Sequence, residues 1–287
     1  MKRMLRAVLL FFVFLCGTPV FAQSAVWKIS HGDNVMYLAG SWHILRQTDY
    51  PLPREFDMAF ERSEAVAFET NIGKLEIEIM THMRNLLLPP GKTLKTELRP
   101  EVYERLAQEC AAAGVRLEDF QQFKPAWAMM FIGVKLLEKM GFVKPGVDFH
   151  YYAHAKKAGK RRLFLESIET QLTVFDDIDP NEVAEAEVAE ASMGDFDQYT
   201  RIAEYIEEWK LGKAEGTEAL IEQTRLKSPA LYNRLFTKRN HAWLPRLERF
   251  LKTKRTEFVI VGFGHLIGKD GLLHLLRSKG YKVEQLK

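Results

Sequence analysis

Two histidines stand in the same short pattern at opposite ends of the chain. Near the N-terminus, Leu38-Ala39-Gly40-Ser41-Trp42-His43 is an apolar run followed by Gly-x-x-His, and Val259-Ile260-Val261-Gly262-Phe263-Gly264-His265 repeats it near the C-terminus. A glycine at a strand's end permits a tight turn, because it tolerates positive φ and lets neighbours approach closely. Such a turn delivers the histidine to the carboxyl edge of a sheet, where ligands bind in open α/β folds. If the two units pair about a pseudo-twofold axis, His43 and His265 face each other across one crevice. Two facing imidazoles are the start of a metal site or an acid–base pair. Either motif alone is a weak signal, since an isolated histidine is ordinarily structural. The repetition, each time directly after an apolar strand, is what points to function.

Carboxylates can complete such a site. Ala65-Val66-Ala67-Phe68-Glu69 reads as a buried strand ending in an acid, which puts Glu69 at the same sheet edge as His43. Two histidines and a carboxylate with an open position for water is a recurring hydrolase arrangement. A helix N-cap or a surface ion pair would explain Glu69 equally simply. Glu166 follows a second short strand, at 162–165, and suits a further ligand, a general base or structural hydrogen bonding. Asp148, after Gly146-Val147 and before a helix, is explained by an N-cap role as well as by function. Arg239, in Lys238-Arg239-Asn240-His241 near the end of an apolar helix, reads from position alone as a surface cation at a helix C-terminus. Gln171 lies five residues past Glu166 and at most positions a substrate.

The remaining candidates carry less. His150 and His154, four apart, share a helical face, but Tyr151 stands where a zincin has Glu, so they read as a surface pair. His82 and His274 fall in amphipathic stretches. Trp127, Met129, Met130 and Phe131 read as helix core. There is no Gly-x-Ser-x-Gly elbow, no P-loop and no dinucleotide fingerprint, and Cys110 sits in a plain Ala-rich helix.

The elements that must position these residues form an α/β (α+β) pattern. Residues 26–29 and 35–38 read as a hairpin around His31-Gly32-Asp33-Asn34. Pro51 and Pro53 introduce a helix with Phe56, Ala59, Phe60 and Ser63 on one face, before the strand that ends in Glu69. At the other end come a strand at 257–261, a helix at 270–279 stopped by Gly280, and a last strand at 281–285. Strand, loop, helix, strand thus occurs twice, and the central sheet is expected from these two repeats. Residues 74–250 form a large, mostly helical insertion: helices open at Pro100 and Pro125, 180–193 is Ala- and Glu-rich, and 228–251 has helical spacing. Gly194 and Gly212 mark breaks between helices. The organisation expected is a leader over 1–22 and a single domain over 23–287.

Composition sets the frame. The 287 residues are 47% hydrophobic and 28% charged, an ordinary globular profile. The formal charge of +3 is accounted for by Lys2, Arg3 and Arg6, in a segment without acids. The rest is neutral, which argues against nucleic-acid binding by bulk charge. Those basic residues precede an apolar run from Val8 to Cys16 and then Val20-Phe21-Ala22, the pattern of a secretory signal peptide cleaved after Ala22. The run is shorter than the ~20 residues that span a bilayer. Leu15 before Cys16 disfavours a lipoprotein. Cleavage would leave Cys110 as the one cysteine, with no intrachain disulfide. The expectation is a protein exported to a bacterial periplasm, with no stable membrane span after cleavage.

At the level of motifs the chain resembles the TraB/GumN family. The resemblance rests on the strand-Gly-Ser-Trp-His start, Pro51-Leu52-Pro53, the strand ending in Glu69, and the closing segment 261–276. Further landmarks are Gly146-Val147-Asp148, the segment 165–171 and Arg239-Asn240. That family is related to the Tiki proteases, and more distantly to erythromycin-esterase-like and haem-binding ChaN-like proteins. The resemblance implies an α/β core with paired repeats and a divalent-metal-dependent hydrolytic site, with manganese, cobalt or zinc as the ion. It also implies that Arg239 faces the site, where a guanidinium can stabilise an oxyanion. The candidate set is therefore His43, His265 and Glu69 as metal ligands, with Glu166, Arg239 and Asp148 as catalytic residues. Two functions remain open: a secreted metallohydrolase, of peptidase type, acting on a peptide or small molecule, or a non-catalytic envelope protein binding haem or a glycan.

Overall fold

The computed structural model describes residues 23–175 and 197–287. The expected signal peptide at 1–22, the Ala- and Glu-rich stretch at 180–193 and Gly194 lie outside them. The hairpin forms from β1 (Val26–His31) and β2 (Asn34–Ser41), with Gly32 at φ +57° in its turn. A two-residue β3 (Ile44–Leu45) pairs later with β5 (Lys144–Pro145). The helix Arg54–Glu61 then leads to β4 (Ala65–Phe68). β6 (Arg161–Phe164), β7 (Glu257–Gly262) and β8 (Lys282–Gln285) complete a six-stranded sheet in the order β6-β4-β7-β2-β1-β8.

β7 is the hinge of this arrangement. It is buried at every position, as expected of a strand covered on both faces. It pairs in parallel with β2 on one side and β4 on the other, so the three carboxyl ends emerge together. The register aligns Gly40 with Val261 and Ser41 with Gly262, bringing the two motif glycines one residue out of step on adjacent strands. The two chain-end units therefore meet as the pattern predicts. The edge strands carry the charge: β6 begins Arg161-Arg162 and β8 exposes Lys282 and Glu284. Charged edges discourage pairing with another chain. One strand, β6, comes from the middle of the chain and pairs in parallel with β4.

Between β4 and β7 the described residues are mainly helical. Helices Pro100–Ala112 and Pro125–Lys139 each begin with proline at the first turn, where its missing N–H is no loss. They share a small core of their own, including Leu94, Val102, Leu106, Met129 and Ile132. Cys110 is buried within it, and burial pushes its thiol up to about 11, so it is inert. Trp127 and Met129 are core, whereas Met130 and Phe131 are half-buried. No helix among the described residues is long and apolar enough to cross a membrane.

The stretch 228–251 is helical but not uniform. Pro229–Tyr232 and Lys238–Phe250 are α-helical, and the turn between them, Asn233–Thr237, widens to a π-helix. Such widened turns concentrate at functional sites. Arg239 follows this turn, at the start of the Lys238–Phe250 helix. The C-terminal position read from sequence is corrected: Arg239 is 8% exposed, not a surface cation.

Candidate functional site

The motif glycines are needed for space, not for backbone conformation. Neither has a positive φ; Gly262 sits at φ −51°. A Cβ on Gly40 would lie 3.1 Å from both Cα and Cβ of Phe263, so this glycine lets the second motif pack onto the first. A Cβ on Gly262 would lie 3.2 Å from Glu69 Oε1, 3.2 Å from His43 Nε2 and 3.5 Å from His265 Cδ2. Of the two roles expected of these glycines, close approach is realised and a left-handed turn is not. Gly262 is the floor on which two histidines and a carboxylate converge.

Each histidine is held from behind by a residue distant in sequence. Asp148 is the second residue of the Val147–Lys157 helix, whose N-cap is Gly146, so it is not the cap. Its Oδ2 lies 2.8 Å from His43 Nδ1, and its Oδ1 accepts from the Ser41 hydroxyl at 3.0 Å. The helix is seated there by backbone bonds from Gly146 N to His43 O and from Val147 N to Trp42 O. His265 Nδ1 lies 2.7 Å from Asn240 Oδ1, and its Nε2 lies 3.0 Å from Arg239 Nη1. Arginine can only donate, so His265 Nε2 accepts and Nδ1 carries the proton.

Arg239 joins the cluster together. Its Nη2 donates to Glu69 Oε2 and to Glu166 Oε1, both at 2.6 Å, while Nε spans the two Glu166 oxygens at 3.1 and 3.2 Å. The guanidinium lies 4.7 Å from the Trp243 ring centre, and the Trp243 indole donates to Glu166 Oε2 at 3.0 Å. Glu69 also accepts from the Gly262 amide at 2.6 Å. All six predicted residues are therefore brought together at the carboxyl edge of β2, β4 and β7.

The charges follow from these contacts. Burial works against the Glu69 carboxylate, but Arg239, with the neighbouring histidines and the Gly262 N–H, overrides it and holds the group at about 2. Burial pushes Glu166 upward, offset in part by Arg239. Burial, against the pull of Glu69, drives His265 down to about 3, so it is neutral. His43 goes the other way: desolvation opposes its charge, yet Asp148 and then Glu69 raise it to about 9.

Three partners had no role assigned from sequence: Ser41, Asn240 and Trp243. Ser41 lies inside the first motif, Asn240 follows Arg239, and Trp243 is one helical turn beyond Arg239, so motif adjacency was the available signal. Gln171 is half-buried on the Ile168–Leu172 helix beyond Glu166. His82 and His274 bond to carbonyl or hydroxyl groups near their own helices.

The TraB/PrgY/gumN family matches residues 25–285. The chain belongs to that family. The match spans both Gly-x-x-His turns and every residue of the cluster. Two curated relatives from Danio rerio are similar along most of this chain. Metalloprotease TIKI1 is 22% identical over 318 aligned positions, covering 91% of this chain and 63% of the relative. Metalloprotease TIKI2 is 23% identical over 335 positions, covering 94% and 62%. The chain thus spans less than two thirds of the length of either relative.

Proposed function

We propose that this member of the TraB/PrgY/gumN family is an exported, divalent-metal-dependent hydrolase of peptidase type. The observation that carries the reading is the convergence over Gly262 of His43 Nε2, Glu69 Oε1 and the His265 ring. The metalloprotease relatives support it.

The donor set suits a divalent ion such as manganese, cobalt or zinc in kind. Asp148 and Asn240 bind the Nδ1 side of the two imidazoles, the outer support that metal-ligating histidines typically have. His265 Nε2 has one lone pair, so ligation there and the bond from Arg239 are mutually exclusive. Among the described residues, no group of three His, Cys, Asp or Glu side chains stands at metal-holding spacing. Arg239 must therefore yield for the site to load. When bound, the ion would lower the pKa of a coordinated water and polarise a scissile carbonyl.

The chain's own residues supply the rest. Asp148 is a positioning residue that orients His43. Glu166 is the proposed base, since burial raises its proton affinity, and it accepts only by giving up a bond to Arg239 or Trp243. Arg239 offsets negative charge developing on the substrate oxygen, through its charge more than through a spare N–H. Arg239's place on Glu69, Glu166 and His265 favours the second reading, a non-catalytic envelope protein that binds haem or a glycan on the same fold.

Metal stoichiometry and peptide-library hydrolysis, measured on the same preparations with and without His43→Ala, separate the two. Stoichiometric metal lost with His43, together with hydrolysis, is the expected result. Wild-type protein that binds no divalent ion at micromolar concentration overturns the hydrolase reading, and metal without hydrolysis shifts it to ligand binding.

A further inference from the structure

The Val147–Lys157 helix that carries Asp148 at its first turn carries His150 and His154 one turn apart on the same face. Their ring centres are 4.1 Å apart, the closest pair of rings described in this molecule. Neither imidazole nitrogen makes a hydrogen bond among the described residues. Their surroundings are aromatic: Tyr50 lies 5.5 Å from His150, Phe60 6.2 Å from His154, and Tyr151 is edge-on to both. Carboxylates flank this group, and the charge of Glu61 reaches Tyr151. Asp57, on the Arg54–Glu61 helix, accepts from the Tyr151 hydroxyl through Oδ1 at 2.7 Å, and its charge is felt at His150.

We propose that His150 and His154 form a second metal site, taking a late first-row or zinc divalent cation. Helical residues four apart are neighbours, so two imidazoles there act as a chelate with little backbone change. Imidazole nitrogen suits zinc, copper and nickel, and poorly suits magnesium or calcium. The pair supplies two protein ligands, water fills the other positions, and Asp57 adds negative charge nearby. His154 is exposed, which gives the cation access and makes the site exchangeable rather than structural. Burial, and then His154, hold His150 below its ordinary range, against the pull of Asp57, which favours the neutral imidazole a metal needs. A cation here braces the helix that positions His43, while lying apart from the proposed ligands.

The test uses full-length mature protein in which His43→Ala and His265→Ala remove the ligands proposed for the first site. Calorimetric titration of this background with zinc, and separately with nickel, is expected to show one exchangeable equivalent. Adding His154→Gln, at an exposed position that leaves the fold intact by circular dichroism, is expected to weaken binding at least about tenfold, in the range set by losing metal-site support. If the background variant does not fold, the same comparison in wild-type protein reads as one equivalent lost. Affinity within twofold of the parent after His154→Gln, or magnesium binding as tightly as zinc, overturns the proposal.

Discussion

The two Gly-x-x-His turns share a sequence pattern and a sheet edge, yet their histidines live in opposite electrostatic worlds. The His43 side chain is 54% exposed, backed by a carboxylate, and held at about 9. The His265 side chain is 6% exposed, backed by an amide and a guanidinium, and held at about 3. The backbone pattern fixes where each imidazole stands, because both follow parallel neighbouring strands. The partners fix what each imidazole is, and those partners lie 105 residues away for His43 and 25 and 26 away for His265. A local motif therefore supplies position, and tertiary contacts supply protonation.

The strongest break in this asymmetry is removal of Arg239. Arg239→Ala strips the cation from two buried carboxylates, Glu69 and Glu166, and leaves uncompensated buried charge. The expected loss is roughly 3–5 kcal/mol in urea unfolding at neutral pH. Arg239→Lys should recover part of it at best, since an ammonium cannot reproduce the fork across Glu166. A loss under about 1 kcal/mol would show that the cluster is solvated and that the buried side of the comparison is wrong.

The glycines offer a second, smaller break. Gly40→Ala presses on the Cα and Cβ of Phe263, which cannot move without its strand end, and overpacking of this kind costs about 1–3 kcal/mol. Gly262→Ala presses instead on side-chain tips, Glu69 Oε1 and His43 Nε2, and half-exposed His43 can give way. Its expected cost is under about 1 kcal/mol, while metal binding at the proposed site falls. Equal stability losses for the two variants would mean that the motifs are interchangeable after all.

The strands and the six principal members of the cluster were legible; the bonds that join them, and the partners Ser41, Asn240 and Trp243, were not. Repeated apolar-strand-Gly patterns place β2 and β7, and the strand ending in Glu69 places the carboxylate, because these signals are local. Position alone made Arg239 a helix-end surface cation, because the π-turn at Asn233–Thr237 hides inside a continuous helical pattern; only the family resemblance had it facing the site. Of the two roles open to the motif glycines, close approach is the one used and positive φ is not, because that choice depends on what packs against each, here Phe263 and Glu69. Ser41, bonded to Asp148 across 107 residues, has no signature of its own.

Acid titration sharpens the buried half. His265 has its pKa depressed from 6.5 to about 3, so it stays neutral while the unfolded chain takes up a proton. Its contribution is present above pH 6.5 and lost as pH falls toward 3. Metal-free wild-type protein should therefore lose stability relative to His265→Gln over that interval, as read from melting temperatures. Parallel curves for the two proteins would mean that His265 is not held neutral.

The exposed half predicts the opposite sign and the smallest effect. His43 is raised from 6.5 to about 9, chiefly by Asp148 acting against desolvation, so its contribution is full below pH 6.5 and lost as pH rises through 9. Because the His43 side chain is more than half exposed, solvent screens the pair, and exposed pairs typically contribute about 1 kcal/mol or less. In Asp148→Asn, an amide replaces the carboxylate, so the imidazole should titrate much nearer 6.5 in metal-free protein. Its ring protons, followed by NMR against pH, report this directly. The stability gap between wild type and Asp148→Asn should then close as pH rises past 9, in the direction opposite to that for His265. An unmoved His43 titration would show that Glu69, not Asp148, sets its charge, and the two motifs would then share one electrostatic partner instead of having one each.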